Sequence, residues 1–397
     1  MYIIITFDNS SKCCDITHIN TVHKHYQSII HKLNTSDSNW NPLIGIVIST
    51  ICNNETNEYV LSNKYSLFDV KTIKKFNLPI TKEYINLVCA FGKVDTLDYL
   101  SKKLNNFPYD EYALYWASKS GHVNVLDWWL RSGLELKYFE KALNWASHDG
   151  HVNVLEWWLK SGLELKYDKW ALNWASENGH VKVLEWWLKS GLDWWLKSGL
   201  ELKYDETALY WASHNGHVNV LEWWKNSGLP LKYDENALHW GSLDGHINVL
   251  EWWKNSGLPL KYDENALHWA SKNGHVHVLE WWLESGLELK YTRWGLTWAS
   301  GNGYVNVLDW WLKSGLELKY DEYALEWASS EGHVNVLEWW LKSGLELKYT
   351  DHALTRASMN GHINVLEWWL KSGLPLKYTE LASKWASEYG ISFISEL

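Results

Sequence analysis

The sequence predicts a mainly α-helical solenoid, in which short helical repeats pack only against their neighbours. A Gly-His step or a close variant recurs every 29 residues, apart from one interval of 37, at Gly121, Gly150, Gly179, Gly216, Gly245, Gly274, Gly303, Gly332, Gly361 and Gly390. A fixed period in this range is typical of repeat architectures. The 32 tryptophans fall almost entirely at repeat-defined positions, so this bias belongs to one duplicated repeat. An array of this kind offers a long surface rather than a pocket, which favours binding over catalysis.

Residues 110–138 show how one repeat is built. Asp110 is a good N-cap, and a short helix over Ala113–Ser120 ends at Gly121, a common helix breaker. A second helix is predicted over Val123–Arg131, followed by a connector of only a few residues. The 29-residue repeat therefore has room for two helices and a link, with shortened or absent β-hairpins.

The second helix is apolar over most of its circumference, which indicates that it is covered on several sides and is the inner helix of the array. We therefore predict that the second tryptophan of each Trp-Trp pair is buried between helices. These residues are Trp129, Trp158, Trp187, Trp224, Trp253, Trp282, Trp311, Trp340 and Trp369. The paired tryptophans are interpreted as core, whereas Trp170 and Trp294 are predicted to lie on the surface.

Three columns of the first helix vary between repeats while the rest scarcely changes. They stand at positions i, i+3 and i+7, so they share one helix face and predict a continuous strip along the solenoid. Two explanations stay open, namely drift at exposed sites and a selected recognition surface. The predicted partner-binding residues on this strip are Tyr112, Tyr115, Lys119, Trp170, Glu177, Tyr210, His214, Trp294 and Tyr323.

No pattern in the sequence indicates an enzyme, a metal site or a cofactor. It shows no Ser-His-Asp order, no phosphate loop and no paired-carboxylate pocket. One histidine column follows the recurring glycine, but equivalent residues of stacked repeats lie too far apart to share one ion, so we interpret these histidines as structural turn residues. They are His122, His151, His180, His217, His246, His275, His333 and His362.

Composition narrows the classes of partner and compartment. The net charge of −10 argues against nucleic acid and anionic membranes as partners. Four cysteines without a Cys-x-x-Cys motif suit a reducing, intracellular setting. Neither a signal peptide nor an apolar run of membrane-spanning length is recognised. We expect a soluble, monomeric protein in the cytoplasm of a host cell.

The predicted organisation has four parts: a non-repeat segment (1–65), degenerate repeats (66–109), nine full repeats (110–378) and a truncated repeat (379–397). Strands are predicted over Tyr2–Thr6 and Ile44–Ile51. Four histidines before residue 32 match no metal-ligand spacing. An octamer duplicated near residues 186–201 explains the longer interval, and we expect one Trp-Trp pair to be displaced onto a bulge after Gly191.

The repeat resembles the ankyrin repeat. In residues 236–260, Ala237-Leu238-His239 stands where that family has Pro-Leu-His, Gly245-His246 matches its Gly-His turn, and residues 249–253 replace its second-helix aliphatic run. The Trp-Trp variant looks most like ankyrin-repeat proteins of giant amoebal DNA viruses, of the mimivirus type. The resemblance implies a protein-binding scaffold, although the period of 29 instead of 33 implies stunted hairpin tips.

The most concrete function predicted is therefore non-enzymatic binding of a protein partner, for which a host protein is one candidate, through the varied first-helix strip. One alternative is a structural or expanded repeat array without a specific ligand. Another is an aromatic ladder that binds carbohydrate or single-stranded nucleic acid, because exposed tryptophans stack on sugars and bases.

Overall fold

The computed structural model describes residues 2–7, 17–18, 26, 42–53, 56–61, 65–198, 202–380, 382 and 384. The chain divides into two compact units. One comprises Met1–Ala175 and Lys182–Tyr204, and the other comprises Ser176–Val181 and Asp205–Leu397. Helical repeats make up the described part of the second unit, whereas the first also contains a sheet.

The sheet lies near the N-terminus and is antiparallel. Its strands are β1 (Tyr2–Phe7), β2 (Thr17–His18), β3 (Pro42–Asn53), β4 (Thr56–Leu61) and β5 (Tyr65–Ser66). They follow the order β2-β1-β3-β4, and β5 pairs with β3. Ile3 stands opposite Ile46, and Thr50 stands opposite Tyr59. The two strands predicted from β-branched runs are confirmed as β1 and as part of β3.

Between residues 70 and 371 the described chain forms 21 helices. The first three are α1 (Val70–Phe76), α2 (Lys82–Ala90) and α3 (Val94–Lys103). The first helices of the full repeats are α4 (Tyr112–Lys119), α6 (Lys141–His148), α8 (Trp170–Glu177), α10 (Thr207–His214), α12 (Asn236–Leu243), α14 (Asn265–Lys272), α16 (Trp294–Gly301), α18 (Tyr323–Ser330) and α20 (His352–Met359). The second helices are α5 (Val123–Arg131), α7 (Val152–Lys160), α9 (Val181–Ser198), α11 (Val218–Asn226), α13 (Ile247–Asn255), α15 (Val276–Glu284), α17 (Val305–Lys313), α19 (Val334–Lys342) and α21 (Ile363–Lys371).

The Gly-His step ends each first helix and starts each second one. Gly121 has φ 74°, in the left-handed region that a side chain disfavours. The backbone N–H of His122 then donates to the carbonyl of Ala117 at 2.9 Å, which closes the first helix. The imidazole of His122 contacts the Ala90 carbonyl of the preceding repeat at 3.0 Å through Nε2. This histidine therefore fixes one repeat against the next, as the structural interpretation of the column predicted.

The connectors contain no strand over the described residues 67–198 and 202–380, so the prediction of shortened or absent hairpins is confirmed. Side chains join successive connectors instead. The Tyr138 hydroxyl donates to the Glu164 carbonyl at 3.2 Å, and Lys166 Nζ lies 4.5 Å from the centre of the Tyr138 ring. The same arrangement recurs at Tyr233, where the hydroxyl donates to the Pro259 carbonyl at 2.9 Å. A hydrogen bond and a cation–π contact thus replace hairpin pairing.

The second tryptophan of each pair is in the core, as predicted. Eight of these nine indoles are 0% exposed, and Trp187 is 2% exposed. Each one donates its Nε1–H to a small side chain of the preceding repeat, for example Trp158 to Ser118 Oγ at 3.0 Å. At the start of the array Cys89 replaces the serine and accepts from Trp129 at 3.4 Å. Burial raises the pKa of the Cys89 thiol to about 12.

The prediction that the second helix is the inner one is wrong. First helices such as α12 and α14 bury five of their eight residues, whereas the second helices α11 and α13 bury three of nine. Leu130 and Leu159 of second helices are 42% and 36% exposed. The second helices leave part of their wide apolar arc exposed, whereas the first helices pack closely against one another through alanine and serine.

The expected bulge after Gly191 is also wrong. Helix α9 runs without interruption from Val181 to Ser198. The first part of the second octamer copy therefore extends this helix and does not form a bulge. The pair Trp186 and Trp187 keeps its place, at 6% and 2% exposure. The side chains of the second Trp-Trp pair lie outside the described residues. The next repeat adapts to the longer interval, since Trp224 still donates to Ser176 Oγ at 2.9 Å.

Candidate partner-binding surface

The first varied column opens each first helix and faces outward. Tyr112 is 40% exposed, and Lys141, Asn236 and His352 are also exposed. The other members are half-buried, namely Trp170, Thr207, Asn265, Trp294 and Tyr323. This column is accessible, as the sequence predicted for Tyr112, Trp170, Trp294 and Tyr323.

The second varied column is mostly buried, so the expectation of three exposed columns is wrong at this position. Tyr115 is 6% exposed and packs against Trp116 and Phe139, with ring centres 5.0 and 6.0 Å away. Burial raises the pKa of the Tyr115 hydroxyl. Tyr210 is half-buried and meets Trp240 edge-on at 5.2 Å. Most of this column therefore faces the neighbouring repeat rather than a partner.

Members of the second column pair with the residue 24 positions later, at the start of the next repeat. Asn144 Nδ2 donates to Asp168 Oδ1 at 2.7 Å, and that carboxylate also accepts from the N–H of Trp170. The other pairs are Asn86–Asp110 at 3.2 Å, His239–Asp263 at 2.8 Å, His268–Thr292 at 3.0 Å, Thr355–Thr379 at 3.2 Å and Glu326–Thr350. The residue type in this column therefore varies together with its polar partner across the repeat boundary. Comparing each residue of the sequence with the one 24 positions later would have revealed these pairs.

The third varied column lies beside the invariant tryptophans of the first helices. Lys119 Nζ lies 3.9 Å from the Trp145 ring centre and 5.3 Å from that of Trp116. Burial lowers the pKa of Lys119, with Asp149 opposing that shift. His214 packs against Trp240 at 4.9 Å and forms a short contact with Asp244. Lys119, Glu177 and His214 are all half-buried.

The sequence interpretation missed the first-helix tryptophans, which eight of the nine full repeats share, as surface residues, because their recurrence suggested a role in the core. Seven of them are half-buried and reach the surface: Trp145, Trp174, Trp211, Trp240, Trp269, Trp298 and Trp327. Some touch one another across a repeat boundary, with ring centres 5.2 Å apart for Trp145–Trp174 and 4.8 Å apart for Trp298–Trp327. Trp170 stacks on Trp174 at 5.4 Å. Invariant and varied aromatic residues therefore form joint clusters on the first helices.

One of these clusters combines Trp294, Trp298, Tyr323 and Trp327. Trp294 stacks on Tyr323 at 6.3 Å and tilts against Trp327 at 5.6 Å. Arg293 lies over Trp294 and Tyr323 and forms an ion pair with Asp321 at 2.6 Å. We call these four aromatic residues the α16–α18 cluster. It places two predicted site residues, Trp294 and Tyr323, in one patch.

The second helices present a different face. The first tryptophan of a pair is less deeply buried than the second. In seven of the nine repeats it donates its Nε1–H to an acidic residue of the preceding second helix, for example Trp252 to Glu222 Oε2 at 2.7 Å. That bond and one from Asn226 lower the pKa of the Glu222 carboxyl. The acids on this face are therefore used within the array. Over the described residues, no group of three or more His, Cys, Asp or Glu side chains could hold a metal ion.

One family model agrees with the repeat architecture. A family model described as "Ankyrin repeats (many copies)" matches residues 172–223, 238–281, 267–312 and 325–368, which together cover less than half of the chain. Among solved structures, the human ASB11 ankyrin repeat domain is 18% identical, with a TM-score of 0.39, over 51% of this chain and 98% of that one. No curated protein matches the chain.

Among the described residues, none of the helices combines the length and apolar character needed to cross a membrane.

The repeated helix pairs, the Gly-His turns and the family match together give one conclusion. Residues 172–223, 238–312 and 325–368 match ankyrin repeats, and the described helix pairs form an ankyrin-like α-solenoid with shortened or absent hairpins.

Proposed function

We propose that this protein is a non-enzymatic scaffold that binds a protein partner through the aromatic face of its first helices. The observation that carries the proposal is the partial exposure of tryptophan on this face in successive repeats. Exposing large aromatic side chains to water is unfavourable, and tryptophan and tyrosine are enriched among the residues that dominate binding energy at interfaces. The anchors we propose are Tyr112, Trp170, Trp294 and Tyr323 with the neighbouring invariant tryptophans.

The remaining predicted site residues have different parts in this proposal. Lys119, Glu177, Tyr210 and His214 line the face and set its local charge and shape. Tyr115 is buried, so we assign it to the packing of repeats. Because the net charge of −10 is spread along a long array, we expect binding to weaken only mildly as salt is added.

The test is capture of partners from a host-cell lysate with the whole chain and with a variant carrying Trp170→Ala, Trp294→Ala and Tyr323→Ala. We expect the affinity of any specific partner to fall at least about ten-fold, since interface anchors each contribute about 2 kcal/mol or more. Helix content should stay unchanged, because none of the three residues is in the core.

The matched control replaces three exposed residues of the second helices, Leu130, Leu159 and Leu312, by alanine. Capture should survive this change. If capture survives the first-helix triple variant but is lost on deletion of residues 1–80, the array is a spacer and the proposal fails.

A further inference from the structure

The boundary between α18 and α20 holds a carboxylate where the other repeats hold neutral side chains. Glu326 stands in the second varied column, whose other members are tyrosine, asparagine, histidine and threonine. Its side chain is 1% exposed. In a pair such as Asn144 with Asp168, the buried residue is neutral and the partner 24 positions later carries the charge. At Glu326 the charge lies on the buried side, and the partner is the neutral Thr350.

Glu326 receives few hydrogen bonds for a buried carboxylate. The Thr350 hydroxyl donates to Oε1, whereas Oε2 is buried and has no hydrogen-bond partner among the described residues. Taking a charged group out of water costs free energy that only pairing and hydrogen bonding recover. The Oε2 atom is therefore the point at which this repeat boundary can gain an interaction.

A side chain that can carry a positive charge lies close to this atom. The Nδ1 atom of His352 is 3.8 Å from Glu326 Oε2, beyond hydrogen-bond distance, and the imidazole is 59% exposed. The backbone of His352 is fixed, because its N–H donates to the Thr350 hydroxyl oxygen at 3.1 Å. Thr350 thus bonds to both residues. A small rotation of the His352 side chain would bring Nδ1 against Oε2.

The charges on the elements packed around this boundary are mostly engaged elsewhere. Within the described part of the chain, His352 is the one group that forms an ion pair with Glu326. The contacts of the other charges are Arg293–Asp321 beside α16, Glu338–Lys342 on α19, Glu367–Lys371 on α21, and Lys348 over the Tyr320 ring in the connector. The turn histidines His333 and His362 lie beyond the far ends of α18 and α20.

The remaining charges near His352 act in both directions. Glu322 on α18 and Asp351 before α20 are acidic, so both favour a proton on the imidazole. Arg356 lies one turn after His352, and the positive end of the α20 dipole lies at His352 itself, so both oppose that proton. The Glu326 carboxylate is the group whose pairing with His352 distinguishes this boundary from the others.

We propose that Glu326 and His352 form a proton-dependent clasp between the two repeats. When the imidazole carries a proton, it turns towards Glu326 and pairs with Oε2, and when it loses the proton it returns to solvent. The folded chain then holds a proton that the unfolded chain releases more readily. The clasp therefore stabilises this boundary in mild acid, and its contribution is lost as the pH rises. It does not depend on partner binding.

Hydrogen–deuterium exchange of the full chain, followed by mass spectrometry, measures this boundary directly. The measurement has to be local, because burial lowers the pKa of His239 and of His268, and those histidines respond to acid in the opposite direction. The reporting peptides cover residues 323–330 and 350–359, and α6 (Lys141–His148) is the internal control. Chains are compared at the same pH, which cancels the intrinsic pH dependence of exchange.

Three variants define the clasp: His352→Gln removes the titrating group, His352→Lys supplies a permanent cation, and Glu326→Gln removes the buried charge. At about pH 5.5, exchange in α20 should be about five-fold faster in His352→Gln than in the unaltered chain, as for one partly buried ion pair. At about pH 7.5 the two should agree within about two-fold, because the imidazole is then neutral. His352→Lys should exchange slowly at both pH values.

The Glu326→Gln background separates the clasp from the helix dipole. There His352→Gln should change exchange by less than about two-fold. An effect of His352→Gln that persists undiminished without the carboxylate, or no effect at the acidic pH, would overturn the inference. If Glu326→Gln alters the circular dichroism of the chain, His352→Lys and His352→Gln decide at the higher pH, where equal exchange in the two also overturns it.

Discussion

The two helices of each repeat use tryptophan in opposite ways. In the second helix the indole of Trp253 is fully buried, and its Nε1–H donates to Ser213 Oγ at 3.1 Å. In the first helix Trp240 is half-buried and packs against the side chains of its neighbours. Both tryptophans recur almost unchanged along the sequence. Repetition of a residue therefore reflects its contacts with adjacent repeats and does not by itself distinguish core from surface.

The sharpest way to test this comparison is within a single Trp-Trp pair. Trp253→Ala should destabilise the array by about 3–5 kcal/mol, because it leaves a cavity in the core and an unpaired serine. Trp252→Ala should cost only about 1–2 kcal/mol, since that half-buried side chain loses less apolar contact. Urea unfolding followed by far-UV circular dichroism measures both. Equal costs would show that the two positions are energetically equivalent despite their different burial.

A pH-dependent effect should separate buried from exposed histidines. Burial lowers the pKa of His268 to about 4, well below its ordinary value of 6.5, and its Nε2 accepts the Thr292 N–H. Between these pH values the unfolded chain binds a proton that the folded chain does not, so stability falls as the pH falls through this window. The contribution reaches about 3 kcal/mol at the acidic end.

His268→Asn should therefore reduce the loss of stability between about pH 7 and about pH 4.5, measured as the shift in the urea midpoint. Asn248→Ala is the control, because Asn248 is exposed and does not titrate, so the pH profile should keep its shape. A profile that is the same for His268→Asn and the unaltered chain would contradict the prediction.

The smallest expected effect concerns the pairs 24 residues apart. A double-mutant cycle on Asn144→Ala and Asp168→Ala should give a coupling energy of about 0.5–1.5 kcal/mol, the range of an ordinary hydrogen bond, because Asp168 is half-buried and water screens its charge. Lys141→Ala with Asp168→Ala should show coupling near zero, because Lys141 lies on the exposed side of the same helix. Equal coupling in the two cycles would mean that the second column does not link the repeats.

Much of the fold followed from the sequence because one repeat explains most of the chain. The Gly-His turn and both helices depend on local spacing and are present in the structure, and the connectors between helices contain no strand over residues 67–198 and 202–380. The burial of the second tryptophan of each Trp-Trp pair followed from its place in the apolar run of the second helix.

The errors arose where the answer depends on the neighbouring repeat. Angular position on one helix cannot show that Tyr115 faces Phe139 of the next repeat, or that first helices pack more closely than second helices. The bulge predicted after Gly191 assumed that both octamer copies compete for one core position. A helix can instead extend past the end of the repeat.

The cross-repeat hydrogen bonds have one further consequence, for how the chain folds. Most of those described join residues 24 to 40 positions apart, and the bond from Trp224 to Ser176 spans 48 because of the octamer. Closing a loop of 48 residues instead of 40 costs only about 0.2 kcal/mol of chain entropy. Such short separations allow folding to nucleate at any adjacent pair of repeats and spread outward. A small duplication inside the array therefore slows folding only slightly. This architecture can thus grow by small insertions and still fold.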